Sequence, residues 1–166
     1  DRYFAGLHGS HRLNADWEAS LRLSLTQLET SVDNNLFFNL AQPSGDLERF
    51  YFNGPTTLRN YQTTFTLTGH INSGVAKHTL LAGYDFFYLS TKFSGDNAVS
   101  APPFNIFAPT FSNPAPVFDQ GSFSGSTAET WHGLYLQDQI ELPYHIHLLA
   151  GARYDNTRGT DNQLGV

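Results

Sequence analysis

Tyr61-Gln62-Thr63-Thr64-Phe65-Thr66-Leu67-Thr68-Gly69-His70-Ile71 decides the fold class of this chain. Its odd positions carry Tyr61, Thr63, Phe65, Leu67, Gly69 and Ile71, and its even positions carry Gln62, Thr64, Thr66, Thr68 and His70. Side chains alternate across a strand with period two, so the stretch has one apolar and one polar face. A helix would need apolar residues three as well as four apart, and the stretch has no apolar pair three apart. Trp17 to Leu25 repeats the alternation, with Trp17, Ala19, Leu21, Leu23 and Leu25 set against Glu18, Ser20, Arg22 and Ser24.

Four further segments read as strands with looser alternation. Tyr3, Ala5 and Leu7 oppose Arg2, Gly6 and His8, with Phe4 as the exception. Leu80, Ala82, Tyr84, Phe86 and Tyr88 oppose Leu81, Gly83, Asp85 and Phe87. Within Trp131–Glu141, Leu134, Leu136 and Ile140 share one side and Tyr135, Gln137 and Gln139 the other, which leaves the buried face open. Ile146, Leu148, Ala150, Ala152 and Tyr154 oppose His147, Leu149, Gly151, Arg153 and Asp155. Leu80-Leu81-Ala82-Gly83 recurs as Leu148-Leu149-Ala150-Gly151, an echo that two strands of one sheet explain without a repeat architecture.

The connections alternate in length. Asn14-Ala15-Asp16, Asn72 to Ala76 and Leu142 to His145 are short and carry the Asn, Gly or Pro that tight turns favour. Two long polar loops lie between them, from about Asn34 to Thr56 and from about Gly95 to Glu129. The second holds five of the eight prolines, and each proline removes a ladder donor. The expected fold is all-β: an antiparallel up-and-down meander of about six long strands.

A soluble sandwich and a membrane barrel both alternate, so strand length decides between them. Sandwich strands average about 5–6 residues, whereas spanning strands need about 9–11 at a tilt near 45°. Trp17 to Leu25 is nine residues of strict alternation and Tyr61 to Ile71 is eleven. Trp17, Tyr61, Tyr84, Tyr88 and Tyr154 stand near the ends of apolar stripes, where amphipathic rings suit the headgroup level. Glu18, Arg22, Asn60, Gln62, His70, Asp85, Arg153 and Asp155 all fall on the polar face, which would line a hydrated interior. Short turns at one end and long loops at the other fit a transmembrane barrel. Six strands are too few to close one around water, so the chain reads as part of a larger barrel.

Composition agrees. The 166 residues suit one domain, and 9 Lys plus Arg against 15 Asp plus Glu give a net charge of −6, which argues against a nucleic-acid partner. Charged residues make up only 14%, below the roughly 25% of soluble domains. Cysteine is absent, which excludes disulfides, thiolate metal sites and cysteine nucleophiles. Methionine is absent and the first residue is Asp1, so the expectation is a processed product or an excised piece. No apolar run reaches the ~20 residues of a membrane helix, which leaves β-spans untouched.

Leu134-Tyr135-Leu136-Gln137-Asp138-Gln139-Ile140-Glu141-Leu142, followed by Leu149-Ala150-Gly151-Ala152-Arg153-Tyr154-Asp155, resembles the barrel of TonB-dependent outer-membrane receptors of the ferric-siderophore type. His78-Thr79-Leu80-Leu81-Ala82-Gly83-Tyr84-Asp85 is similar to the strand that precedes a long extracellular loop in that family. The resemblance implies a 22-stranded barrel in the bacterial outer membrane around an N-terminal plug. It implies a ferric siderophore as cargo, no covalently bound cofactor, and the TonB-ExbB-ExbD system as partner through the plug. Residues 1–166 read as a partial barrel domain with no plug, no TonB-contacting segment and no closing C-terminal strand visible. A passive pore and a soluble β-sandwich binding module are the other readings.

Enzyme chemistry has little support. His145-x-His147 lacks a third metal ligand, and Gly121-Ser122-Phe123-Ser124-Gly125 lies in a proline-rich loop rather than on a strand-to-helix elbow. The loop aromatics are the better hint, because rings bury area on a bulky ligand at low entropic cost. Phe37, Phe38, Tyr51, Phe104, Phe107, Phe111 and Phe118 are the candidate ligand contacts.

Overall fold

The computed structural model describes residues 1–38, 43–47, 49–99, 104–109 and 117–165. Among them the chain forms β1 (Arg2–Arg12), β2 (Trp17–Phe38), β3 (Asp46–Leu47), β4 (Arg49–Ser73), β5 (Ala76–Val99), β6 (Phe104–Asn105), β7 (Ser122–Leu142) and β8 (Ile146–Gly165). The six long strands make one antiparallel sheet in the order β1-β2-β4-β5-β7-β8, the expected meander. Strands β3 and β6 pair separately with each other. The short turns lie at one end, and Gly74 at φ +67° lets Ser73 and Ala76 close the β4–β5 hairpin across two residues.

Residues directly opposite in an antiparallel ladder share a face, so the register assigns every side chain. Leu21, Phe65, Tyr84, Leu134 and Tyr154 form one row across β2, β4, β5, β7 and β8. Ala19, Leu67, Ala82, Leu136 and Ala152 form the next row on the same face. The open choice on β7 is thereby settled: Leu134, Leu136 and Ile140 join the apolar face. Among the described residues nothing covers it. Leu21, Leu23, Phe65 and Leu136 are all exposed, and the buried hydrophobics among the described residues are only Tyr51, Ala76 and Ala98. A soluble domain of this size would have a two-layer core; this is a single sheet with a bare apolar face.

The apolar stripe is not level with the rows. On β2 it tops out at Leu25, whose row runs through Tyr61, Tyr88 and Thr130 to Arg158, yet on β8 the stripe ends at Tyr154. A horizontal apolar band crossing tilted strands slips in this way. Rings mark its margins, with Trp17 at the short-turn end and Tyr61, Tyr88 and Tyr154 at the other. Tyr61 and Tyr88 pack with centroids 5.8 Å apart. Tyr84 departs from the expectation: it lies inside the band, and its hydroxyl is satisfied by His132 Nδ1 at 2.8 Å.

The strands run well past the expected boundaries. The supposed first loop, Asn34 to Thr56, is strand up to Phe38 and again from Arg49, and the second is strand up to Val99 and from Ser122. At ~3.3 Å per residue and 45° tilt, the 25 residues of β4 rise roughly 58 Å, about twice a hydrocarbon core of ~30 Å. The upper halves therefore stand in water on both faces, where no apolar stripe is required and alternation gives no signal. Pro55 is accommodated because the β4–β5 ladder is interrupted between Asn53–Asp96 and Thr56–Phe93.

One carboxylate breaks the apolar stripe. Asp138 lies in the row of Trp17, Gly69, Leu80 and Ala150. His78 Nδ1 meets its Oδ2 at 2.8 Å, and His78 Nε2 meets Ser73 Oγ at 2.8 Å. The relay satisfies a carboxylate that would otherwise face hydrocarbon, and its Oδ1 remains buried without a partner. Removing the imidazole alone, as in His78→Leu, is expected to destabilise the folded barrel by about 1–2 kcal/mol, given that both side chains are about a quarter exposed. The double replacement His78→Leu/Asp138→Leu recovers most of that loss in a denaturant titration. Equal losses in single and double variants would refute the coupling.

Candidate functional site

The face opposite the apolar band carries the polar and charged rows. Ser20, Thr66, Gly83, Tyr135 and Arg153 form one row, and Arg22, Thr64, Asp85, Gly133 and Asp155 form the next. Arg153 reaches across both. Its Nη1 donates to Asp85 Oδ2 at 2.8 Å, its Nε donates to Asp155 at 2.9 Å, and the guanidinium lies 5.5 Å from the Tyr135 ring centroid. Gly133 stands between the two carboxylates, and a Cβ there would lie 2.4 Å from Arg153 Nη2. The missing side chain makes room for the guanidinium. At the short-turn end, Lys77 Nζ and Glu141 Oε2 approach to 3.7 Å.

Aromatic rings stand on this face above the ion pairs. Phe87 and Trp131 share a row with Ser24, Gln62 and Thr157, and meet edge to face with centroids 6.2 Å apart. Higher up, Phe123 packs against Phe93 at 6.3 Å and against Phe52 at 6.1 Å. Apolar rings at polar-face positions are misplaced for a wall that meets only water. Sequence reasoning did not single out Phe87, Phe93 or Trp131; the signal was their occupation of the polar phase of otherwise alternating strands.

The two loop tips are fastened together. Asp46 pairs with Asn105 and Leu47 with Phe104 in the β3–β6 ladder, and Ile106 N donates to Gly45 O at 2.9 Å. Asn105 Nδ2 donates to Asp46 Oδ1 at 2.8 Å, and Ser44 Oγ donates to Asp46 Oδ2 at 2.7 Å. These two hydrogen bonds, that from Ser44 first, hold the Asp46 carboxyl below its ordinary pKa. A depressed folded-state pKa means that the clip's contribution is complete above the ordinary carboxylate range and fades as pH falls through the lowered value. Amide exchange of residues 104–109 is therefore expected to show flat protection from neutral pH down to about pH 4, with loss below it. Asp46→Ala removes that protection at every pH.

The candidate ligand residues fall into four situations. Phe37 and Phe38 lie at the top of β2, opposite Phe50 and Arg49, and Phe104 lies in β6 opposite Leu47. Tyr51 is in β4 rather than in a loop; it is 4% exposed and packs with Ala98, and Phe118 covers them. Phe107 is 76% exposed and lies against Gly45. Phe111 falls outside the described residues. His145 and His147 do not form a pair on one face: His145 belongs to the Pro143–His145 turn at φ +59°, and His147 is opposite Glu141. Among the described residues no group of three His, Cys, Asp or Glu side chains is placed to hold a metal.

An exposed apolar belt with aromatic margins, a charged opposite face and tilted antiparallel strands together define a segment of transmembrane β-barrel wall. Residues 1–165 match the family described as TonB dependent receptor-like, beta-barrel, and the chain belongs to that family. Its fold is similar to the crystal structure of BauA, the ferric preacinetobactin receptor from Acinetobacter baumannii, with a TM-score of 0.69 and 14% identity. The match covers 99% of this chain and 26% of that one, so the chain spans about a quarter of that receptor. No curated protein matches the sequence.

Proposed function

We propose that these strands are wall and loops of an outer-membrane receptor that takes up ferric siderophores under the drive of TonB, ExbB and ExbD, acting through a plug carried elsewhere in the receptor. The observation that carries the reading is the set of rings on the hydrated face: Phe87, Trp131, Phe93 and Phe123 line the route from loops to interior. Phe107 supplies an exposed ring at the fastened loop tips, and Phe37, Phe38, Phe104 and Phe111 are proposed as further contacts. Tyr51 and Phe118 act in support, packing the loop return onto β4 and β5. The chelate is received by rings and passed toward the Arg153 cluster, whose charges keep that height of the wall hydrated.

Trp131→Ala and Phe123→Ala in the intact receptor are each expected to weaken binding of a ferric siderophore about three- to tenfold, the worth of one aromatic contact. Tryptophan-quenching titration reads the affinity for Phe123→Ala, and retention of radioactive iron reads it for both. Uptake of the iron chelate, measured in cells, is expected to stop when TonB is deleted while surface binding persists. Uptake unaffected by TonB deletion would point to a passive pore instead.

A further inference from the structure

On the hydrated face the rings enclose one carboxylate that neither the fold nor the function above uses. Glu129 stands two residues above Trp131 on β7, directly opposite Leu89 on β5 and Gly159 on β8. Its side chain is exposed, and among the described residues it has no ion-pair partner. A Cβ on Gly159 would meet Glu129 Cγ at 4.0 Å and nothing nearer, so the carboxylate borders open space. Below it lie Phe87 and Trp131, edge to face, with Trp131 49% exposed. Above it, the Phe93 ring lies over Gly125 on β7, in the space that a Cβ would take. Leu58 and Leu89 fill further positions of the polar phase on β4 and β5.

The charges around Glu129 are of one sign. Asp161 stands one row higher on β8, and one row below Trp131 the Arg153 guanidinium is already held by Asp85 and Asp155. The other cations of this face at these heights, Arg2 and Arg22, lie on β1 and β2. At ~4.8 Å between strands they are roughly 14 Å or more from Glu129. Arg59, Lys92 and Arg158 fall on the opposite face by register. A wall that received an anionic chelate would set cations beside its rings; this one sets carboxylates there. An indole next to an unpaired carboxylate suits a cation, attracted by the ring face on one side and by the charge on the other. The leucines suit the methylenes of an alkyl stem.

We propose, resting on the uptake reading above, that the receptor selects ferric chelates carrying a protonated amine on an alkyl arm. The stem lies on Phe87 and Leu89, and the ammonium lies between the Trp131 ring and the Glu129 carboxylate. Chelates whose free end is anionic, or whose amine is acylated, are poorer cargo, because Glu129 then meets a like charge or loses water without gaining a partner.

The test uses the intact receptor in detergent and a ferric linear trihydroxamate with a terminal primary amine. Its N-acetylated form, with the same iron centre and arm but no charge, is the comparison, and retention of radioactive iron reads both affinities. A hydrogen bond between charged groups is worth about tenfold or more, so the amine is expected to bind about tenfold more tightly than the acetylated form. Glu129→Gln is expected to bring the amine down to the level of the acetylated form and to leave the acetylated form unchanged, which also reports that the variant is folded. The preference shrinks as salt is raised toward about 1 M. Four results would overturn the proposal while siderophore uptake stands: equal or tighter binding of the acetylated form by the wild type, tighter binding of an anionic ferric tris-catecholate, a preference that survives Glu129→Gln, or an equal loss of both forms in that variant. Binding of none of the three chelates would overturn the uptake reading itself.

Discussion

Arginine in place of Leu136 is expected to abolish stable insertion of the barrel, whereas arginine in place of the adjacent Gln137 is accepted. Leu136 lies in the row of Ala19, Leu67, Ala82 and Ala152, near the middle of the apolar band, and is 57% exposed among the described residues. A guanidinium there faces hydrocarbon, at a cost of about 2–4 kcal/mol near the bilayer midplane. That is roughly a 30- to 1000-fold change in the folding equilibrium, a large part of the total stability of an ordinary domain. Gln137 shares its row with Glu18, Thr68, Leu81 and Gly151 on the hydrated face, so its replacement meets water rather than hydrocarbon. Folding into lipid vesicles, followed by the mobility shift of unheated samples on gels, separates the two. Equal behaviour of Leu136→Arg and Gln137→Arg would mean that the two faces do not meet different solvents.

The same contrast explains what the sequence could and could not reveal. Trp17–Leu25 and Tyr61–Ile71 were legible because lipid on one side and water on the other impose period two over the full width of a membrane. The slip of the stripe between β2 and β8 was not legible, since it needs the register. The upper strand halves were hidden for a different reason: Thr56, Thr57, Ser90, Thr91, Ser124 and Ser126 meet water on both faces, so a ladder forms without a pattern. Proline and glycine there looked like loop. Asp138 belongs to a motif in sequence, and only its register opposite Leu80 places it on the apolar face. The candidate contacts Phe37, Phe38, Phe104 and Phe107 lie in the upper part of the chain, whereas the rings on the hydrated face lie lower on the strands. Phe87 and Trp131 stand on the polar face of strands whose alternation gives no reason to single them out, while Tyr51 and Phe118 pack on the wall itself.

Gly54→Ala is the second change expected to act strongly, and its effect should be local to the loop end. Gly54 adopts φ +148°, a region that only glycine enters readily, and a Cβ there would lie 1.8 Å from the Ser94 carbonyl oxygen. Across the gap, a Cβ on Gly95 would lie 1.8 Å from the Asn53 carbonyl oxygen. The two backbones touch where the β4–β5 ladder is interrupted, and β2 changes register beside them, between Val32 and Asn35. Irregularities of three neighbouring strands therefore meet at one height, below the Tyr51–Ala98 packing and the fastened loops. Backbone carbonyls cannot swing aside as a side chain can. The backbone conformation alone costs an alanine about 1–3 kcal/mol, and the overlap adds to it. Because this junction lies above Tyr61, the apolar belt is untouched and insertion should proceed as in the wild type. Exchange protection at residues 50–53 and 96–98 should be lost, and affinity for a ferric siderophore should fall with it. Gly9→Ala serves as the control, since a Cβ at Gly9 meets nothing within 4 Å and should change stability by less than about 0.5 kcal/mol. Failure of Gly54→Ala to insert would show that the junction is needed to build the wall, rather than only to carry the loops that stand on it.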